Sequence, residues 1–202
     1  MKDIEEFIHN LKSQRNTATL SNPYIDSELA KNLELYLETM LRMRGKKILL
    51  IGEAPGYKGC KVTGIPFTSG DVFKTINHPL INKIKSKINL EYIEKENTAS
   101  MVWRYLEDKK VTPLFWNSFP FHPHPKKNKN KNRAPNRQEI DKGVIYLKAL
   151  YDLYKPKKIA GIGQAGVKCA ELAFPEMEIK YIRHPSFGGK ADFIKGMDLI
   201  LD

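Results

Sequence analysis

The chain has 202 residues, of which 41% are hydrophobic, and we expect residues 1–202 to fold as one domain. The net charge of +11 is typical of a protein with a polyanionic partner, because lysine and arginine contacts to phosphate dominate nucleic-acid affinity. No apolar stretch approaches the roughly 18 residues of a membrane span, and the first residues are too acidic for a signal peptide, so we expect a cytoplasmic protein with no membrane partner.

The cysteine and histidine content argues against a metal centre. The two cysteines, Cys60 and Cys169, form no Cys-x-x-Cys pair, so cysteine alone builds neither a zinc site nor an iron–sulfur cluster. His122 and His124 lie close together, but the sequence offers them no evident third ligand. We therefore predict two reduced thiols, no metal and no cofactor.

The N-terminal part, residues 1–45, is predicted to be helical. Within it, residues 27–43 place apolar side chains on one face, and Asp26 is suited to cap this helix at its start. Four apolar runs further along predict strands, at residues 46–52, 111–117, 157–163 and 178–183.

Helical patterns alternate with these strands. Asn136 and Glu139 form a capping-box pattern at the start of a helix that Pro156 ends, and shorter helices are predicted at residues 165–174 and 191–201. The alternation predicts an α/β fold of three layers, α/β/α, with a central, mainly parallel sheet of about four strands.

Two segments stand apart from this pattern. The polar residues 76–97 are interpreted as an irregular insertion that contains helix. Residues 126–133, which read Lys-Lys-Asn-Lys-Asn-Lys-Asn-Arg and are called the basic loop below, have no apolar face to bury and are predicted to be mobile. This basic loop is either a solvated surface loop or an arm that contacts phosphates.

A polar, turn-rich segment follows each predicted strand. Glu53 follows the first strand, Asn117 ends the second, and His184 follows the fourth. Ligands of open α/β sheets bind at the carboxyl ends of the strands, so these three side chains are predicted to converge. Each also has a purely structural alternative. The turn Gly-Glu-Ala-Pro-Gly, for example, lacks the patterns of dinucleotide and P-loop sites and is compatible with an ordinary strand-to-helix turn.

An ordered set of short motifs resembles the uracil-DNA glycosylase superfamily. The motifs are Gly-Glu-Ala-Pro-Gly at 52–56, Gly-Ile-Pro-Phe at 64–67, a strand that ends at Asn117, Asn-Arg-Ala-Pro at 132–135 and His-Pro-Ser at 184–186. They are similar in particular to the bacterial and archaeal iron–sulfur branch, which has a Gly-Glu-x-Pro-Gly turn. The four cluster cysteines are missing, so the resemblance implies a cluster-free branch. In the best-known branch the first motif also carries an Asp that orients water, whereas Ala54 follows Glu53 here.

This resemblance implies a monofunctional DNA repair enzyme. It would act as a monomer and hydrolyse the N-glycosidic bond of uracil, the product of cytosine deamination, in DNA after flipping the nucleotide out of the helix. Phe67 would stack on the flipped base and Asn117 would read its pyrimidine edge, within a pocket that includes Gly52 and Ala54.

The resemblance also implies two catalytic side chains. His184 would donate a hydrogen bond to O2 of uracil as the base departs with negative charge. Glu53 would position water or stabilise the cationic sugar.

Five further residues are expected to contact DNA. Gln164 would meet a phosphate at a helix N-terminus, and Ser186, Gly188 and Lys190 suit phosphates beside the flipped nucleotide. Phe187 would act as an apolar wedge that fills the vacated place in the base stack.

Three other functions remain open on the sequence. The first is a glycosylase for another deaminated base. The second is a non-catalytic protein that binds single-stranded DNA or a damaged base, which the basic loop and exposed aromatic residues would serve equally. The third is a nucleotide-binding α/β protein that uses the Gly-Pro turn for phosphate.

Overall fold

The computed structural model describes residues 2–202, and a four-stranded parallel sheet lies at its centre. Two further short strands pair apart from this sheet. In chain order, the strands are β1 (Leu20–Ser21), β2 (Ile48–Gly52), β3 (Leu114–Asn117), β4 (His122–Pro123), β5 (Lys158–Ile162) and β6 (Lys180–Ile182). The central sheet has the order β3-β2-β5-β6, with all neighbours parallel, and β1 pairs with β4 separately and antiparallel.

Helices surround this sheet. They are α1 (Lys2–Lys12), α2 (Ser27–Arg42), α3 (Cys60–Thr63), α4 (Gly70–Thr75), α5 (Pro79–Ile84), α6 (Asn97–Leu106), α7 (Arg137–Tyr154), α8 (Gln164–Ala173) and α9 (Lys190–Leu201). Every residue of β2 is buried, as expected for a strand whose two faces are both covered. The predicted three-layer α/β/α fold with four parallel central strands is confirmed.

The predicted helix starts are confirmed in atomic detail. The Asp26 carboxylate accepts hydrogen bonds from the backbone N–H groups of Glu28 and Leu29 at the start of α2. Asn136 and Glu139 form both hydrogen bonds of a capping box at the start of α7.

The strands are shorter than predicted, and some elements were not predicted. The run 111–117 becomes a strand only at Leu114, because Pro113 has no N–H to donate to a neighbouring strand. The paired strands β1 and β4 and the helices α3, α4 and α6 were missed. The segment 76–97 contains α5 within irregular chain, as predicted.

Helix α8 lies directly on β2, and this contact places its N-terminus at the edge of the sheet. A Cβ on Gly166 would come within 1.9 Å of the Ile51 carbonyl oxygen, so only glycine permits the close approach. Gln164, the first residue of α8, lies beside the end of β5, at the edge where ligands of open α/β sheets bind.

The basic loop contains no helix or strand, but its last residues are anchored. The Asn132 side chain accepts a hydrogen bond from the Tyr57 backbone N–H at 3.0 Å. The Arg133 guanidinium donates two hydrogen bonds of 2.8 Å to the Glu139 carboxylate. The loop is therefore less free than its composition predicted. Within residues 2–202, no helix has the length and apolarity that crossing a membrane requires.

Candidate active site

A cleft of about 980 Å³ opens at the carboxyl ends of the central strands. The turn after β2, the end of β3, the N-terminus of α8 and the loop after β6 all contribute to its walls. Of the predicted site residues, all except Gly52 line this cleft: Glu53, Ala54, Phe67, Asn117, Gln164, His184, Ser186, Phe187, Gly188 and Lys190. The structure thus brings together side chains that lie up to 137 positions apart, between Glu53 and Lys190.

Phe67 presents an aromatic ring that is held firmly in place. A Cβ on Gly52 would come within 2.4 Å of two Phe67 ring carbons, so glycine is required beneath the ring. The ring also packs against Phe115, with centroids 5.0 Å apart, and the Trp103 indole N–H donates to the Phe67 carbonyl oxygen. The φ of Phe67 is +56°, a left-handed conformation that these contacts support. Gly52 therefore does not line the cleft itself, and its lack of a side chain leaves the space that the Phe67 ring occupies.

Asn117 lies at the end of β3, and its side chain is almost fully buried. Its Nδ2 lies 3.8 Å from the Cys60 sulfur, at the weak limit of a hydrogen bond, which directs the donor end of the amide toward that residue. Burial raises the pKa of the Cys60 thiol to about 12, so the sulfur is a neutral thiol and not a nucleophile. The second Nδ2 hydrogen and Oδ1 of Asn117 are not used by these contacts, so one donor and one acceptor remain for a ligand.

His184 is held by the residue two positions later in one tautomer. The Ser186 backbone N–H donates to Nδ1 of His184 at 3.3 Å, and the Ser186 hydroxyl lies 2.7 Å from the same nitrogen. Because a backbone N–H can only donate, Nδ1 must be the acceptor, and the ring proton is on Nε2. Burial lowers the pKa of His184, which favours the neutral ring at neutral pH. Ser186 therefore orients the histidine, a contact that the sequence did not predict.

Glu53 lies on a turn whose carbonyl groups are fixed. The Ser118 hydroxyl and the Phe119 backbone N–H donate to the Glu53 carbonyl oxygen at 2.6 and 3.2 Å, and the Ser118 N–H donates to the Gly52 carbonyl oxygen. The Glu53 carboxylate itself makes no hydrogen bond or ion pair with the other residues in 2–202. It faces the cleft, and desolvation by the walls raises its pKa. The Glu53 carboxylate thus lines the cleft with no hydrogen-bond partner among residues 2–202.

A second carboxylate, that of Glu96, lies in the cleft wall and was not predicted from the sequence. Its two oxygens accept hydrogen bonds from the backbone N–H groups of Thr98 and Ala99 and cap α6. Its charge opposes the effect of burial on the pKa of His184. Glu96 was not recognised as a helix cap because Glu is not among the preferred N-cap residues and because α6 itself was not predicted.

The loop after β6 projects an aromatic side chain at the rim of the cleft. Phe187 is 97% exposed, and it and Gly188 have φ values of +52° and +77°. A Cβ on Gly189 would come within 2.2 Å of the His184 carbonyl oxygen, so the loop closes tightly behind Phe187. Lys190 then begins α9, so the N-termini of α8 and α9 both meet the cleft and favour negatively charged ligands.

The histidine pair after β3 is occupied by other contacts. Both His122 and His124 are fully buried, and each ring nitrogen of His122 faces a backbone carbonyl oxygen. Across residues 2–202, the structure holds no group of three or more His, Cys, Asp or Glu side chains arranged to bind a metal ion.

Comparison with known proteins identifies the family. A family model described as the uracil DNA glycosylase superfamily matches residues 42–193, well over half of the chain. The crystal structure of wild-type SMUG2 from Pedobacter heparinus has a similar fold, with a TM-score of 0.66 and 16% sequence identity over 96% of this chain and 94% of that one. The search of curated proteins gave no match. Ordered motifs, fold and family model agree, and the chain belongs to the uracil-DNA glycosylase superfamily.

Proposed function

We propose that this protein is a monofunctional glycosylase that removes uracil from DNA by hydrolysing its N-glycosidic bond. Superfamily membership supports a DNA glycosylase. One observation supports the finer assignment to uracil: an aromatic platform, a carboxamide and an imidazole N–H donor face the same cleft, on Phe67, Asn117 and His184.

The base would be recognised after the nucleotide leaves the double helix, since its reacting bond is inaccessible within the stack. Phe67 offers a fixed surface for stacking. Asn117 offers one donor and one acceptor, which match the adjacent O4 and N3–H of uracil, whereas cytosine presents the reverse order. Asn117 is therefore assigned to the choice of base.

Bond cleavage leaves negative charge on the base and positive charge on the sugar. The Nε2–H of His184 is the donor for O2 of the departing base, and the neutral ring needs no proton from solvent for this role. The Glu53 carboxylate, which has no hydrogen bond or ion pair with the residues in 2–202, is assigned to the sugar cation and to the attacking water. With Ala54 at the next position, no second acid is available in this turn.

DNA contacts are assigned to the rim. Gln164, Gly188 and Lys190 line the cleft next to two helix N-termini, and they are assigned to phosphates beside the flipped nucleotide. Ser186, which the sequence also suggested for this role, is not assigned to it, because its N–H and its hydroxyl both donate to His184. Phe187, with almost its whole side chain in solvent, is assigned to the gap that the flipped nucleotide leaves.

The test is excision from oligonucleotides that carry a single uracil, followed by alkaline cleavage of the abasic product. Single-stranded DNA and duplexes with uracil opposite guanine or adenine should all be assayed, beside matched duplexes that carry other deaminated bases. Asn117→Asp serves as the matched control for base reading. Excision of another base alone would assign a different glycosylase, and tight binding without excision of any base would favour a binding protein.

A further inference from the structure

His122 lies between the basic loop and residues 52–56, the turn that carries Glu53 and is called the catalytic turn below. Its Nδ1 lies 2.7 Å from the Pro55 carbonyl oxygen, two residues after Glu53, and its Nε2 lies 3.0 Å from the Lys129 carbonyl oxygen. The ring is fully buried between them. Burial lowers the pKa of His122, so the ring is neutral at neutral pH, donates a hydrogen bond to one of these carbonyl oxygens and packs against the other.

Two further side chains fasten the basic loop to the same region. The Lys61 ammonium group donates to the Lys129 carbonyl oxygen at 3.0 Å, beside the His122 ring. Asn132 accepts from the Tyr57 N–H at 3.0 Å and itself lines the cleft. His122, Lys61 and Asn132 are called the clasp below, and each ties the loop to residues that surround the catalytic turn.

The lysines of the loop are available for a partner. The side chains of Lys126, Lys127, Lys129 and Lys131 are exposed, and none of them forms an ion pair with another residue in 2–202. Four exposed ammonium groups thus belong to one segment, whose backbone the clasp contacts at Lys129 and whose Asn132 lines the cleft. A surface that is ordered before binding loses less conformational entropy when the partner arrives.

We propose that the basic loop is a docking surface for the DNA backbone, separate from the phosphate contacts of the loop after β6, and that the clasp fixes its position relative to Glu53. This inference rests on the proposed function for the identity of the polyanion. Phosphates bound on the basic loop and the nucleotide bound in the cleft would then be held at a fixed separation.

The docking surface is tested first, with DNA that contains no uracil, so that the result is independent of excision. Replacing Lys126, Lys127, Lys129 and Lys131 by Gln should weaken binding and reduce the slope of log K against log salt by up to about 0.9 per lysine. The matched control replaces four exposed lysines that do not line the cleft: Lys83, Lys87, Lys148 and Lys195. An unchanged slope for the loop variant, or an equal reduction in the control, would overturn the proposal.

The clasp is tested by two substitutions that separate its ends. The side-chain nitrogen of His122→Asn stands near the position of Nδ1 and can donate to the Pro55 carbonyl oxygen, whereas that of His122→Gln stands near Nε2 and can donate to the Lys129 carbonyl oxygen. We expect His122→Asn to speed trypsin cleavage after the loop lysines and to lower DNA affinity, with the single-turnover excision rate at saturation retained. We expect His122→Gln to leave the loop protected and to lower that rate by up to about 100-fold, since small displacements of a catalytic group have effects of this size.

Identical behaviour of the two His122 variants would refute separate roles for the two ends. Because His122 is buried, Lys61→Gln provides a second test from the half-exposed side of the loop. It should reproduce the faster trypsin cleavage and weaker DNA binding of His122→Asn, and wild-type values for both would refute the clasp even if neither His122 variant folds. If the wild-type protein binds DNA through the loop but excises no uracil, the proposed function fails while the docking surface stands.

Discussion

The most informative perturbation is His184→Ala, because it separates stabilisation of the transition state from binding. Ser186 fixes Nδ1 of His184 as an acceptor, and burial lowers the pKa of the ring, so the group that faces the cleft is an Nε2–H donor on a neutral imidazole. A donor of this kind interacts weakly with the neutral carbonyl oxygen of bound uracil. The interaction strengthens as the base acquires negative charge, and therefore acts chiefly in the transition state.

The expected magnitude follows from the loss of one preorganised donor in a partly desolvated site. Removal of such a donor typically costs about 3–4 kcal/mol, so the maximal single-turnover rate of excision should fall roughly 10²–10³-fold. The concentration of enzyme that gives half this rate should change much less. His184→Gln supplies an amide N–H of similar reach without an acceptor for the Ser186 N–H, so it should recover part of the lost rate.

The assay is single-turnover excision from a uracil-containing duplex over a series of enzyme concentrations in excess of DNA, which gives both the maximal rate and the apparent affinity. Thermal unfolding of each variant controls for damage to the fold. If His184→Ala lowered rate and affinity by the same factor, His184 would contribute ordinary binding, and its assignment as the donor to the leaving base would be wrong.

Three further substitutions test the remaining roles. Asn117→Asp replaces a donor by an acceptor and should lower uracil excision by about two orders of magnitude or more in the same assay, while unchanged activity would mean that Asn117 does not read the base. Glu53→Gln should lower excision. The wild-type rate should also fall as acidification protonates Glu53, at a pH above the usual glutamate range because its pKa is raised, and this fall should be absent from Glu53→Gln. Phe187→Ala should leave the Tm unchanged, because the ring is 97% exposed, and should slow excision from duplex more than from single-stranded DNA, while equal slowing would argue against a wedge.

Much of the fold was readable because local signals and burial agree. The run that forms β2 is apolar throughout, and every residue in it is buried, so the sequence pattern and the final environment are the same. Asp26 and the Asn136 capping box mark helix starts through contacts only two or three residues away. Helix α6, by contrast, begins at a Glu96 cap within a polar stretch, and packing of Trp103 in the core stabilises it.

The residues at the strand ends were predictable as site members, whereas Glu96 and the internal contacts of the site were not. Strand ends of a parallel sheet share one edge, so Glu53, Asn117 and His184 were expected together without knowledge of the distances between them. Sequence order could not show that Ser186 would contact the imidazole, because its hydroxyl suits a phosphate equally well. Nor could it show that Cys60 would contact Asn117, since that contact joins residues 57 positions apart.

The distribution of charge in the cleft suits hydrolysis even though Ala54 stands after Glu53, in a motif that carries a water-orienting Asp in the best-known branch. Among residues 2–202, the side chains of Glu53 and Glu96 bring two carboxylates to the cleft. Both oxygens of Glu96 accept hydrogen bonds from the first turn of α6, whereas those of Glu53 have no partner within the same residues. The turn beneath Glu53 is fixed through its carbonyl groups, so the backbone that carries this carboxylate is already ordered when substrate arrives. A sugar that becomes cationic would thus meet the negative charge of Glu53, and a base that becomes anionic would meet the N–H of His184. Complementary groups on the two sides of the breaking bond stabilise the separation of charge, which is the feature that distinguishes the transition state from bound substrate.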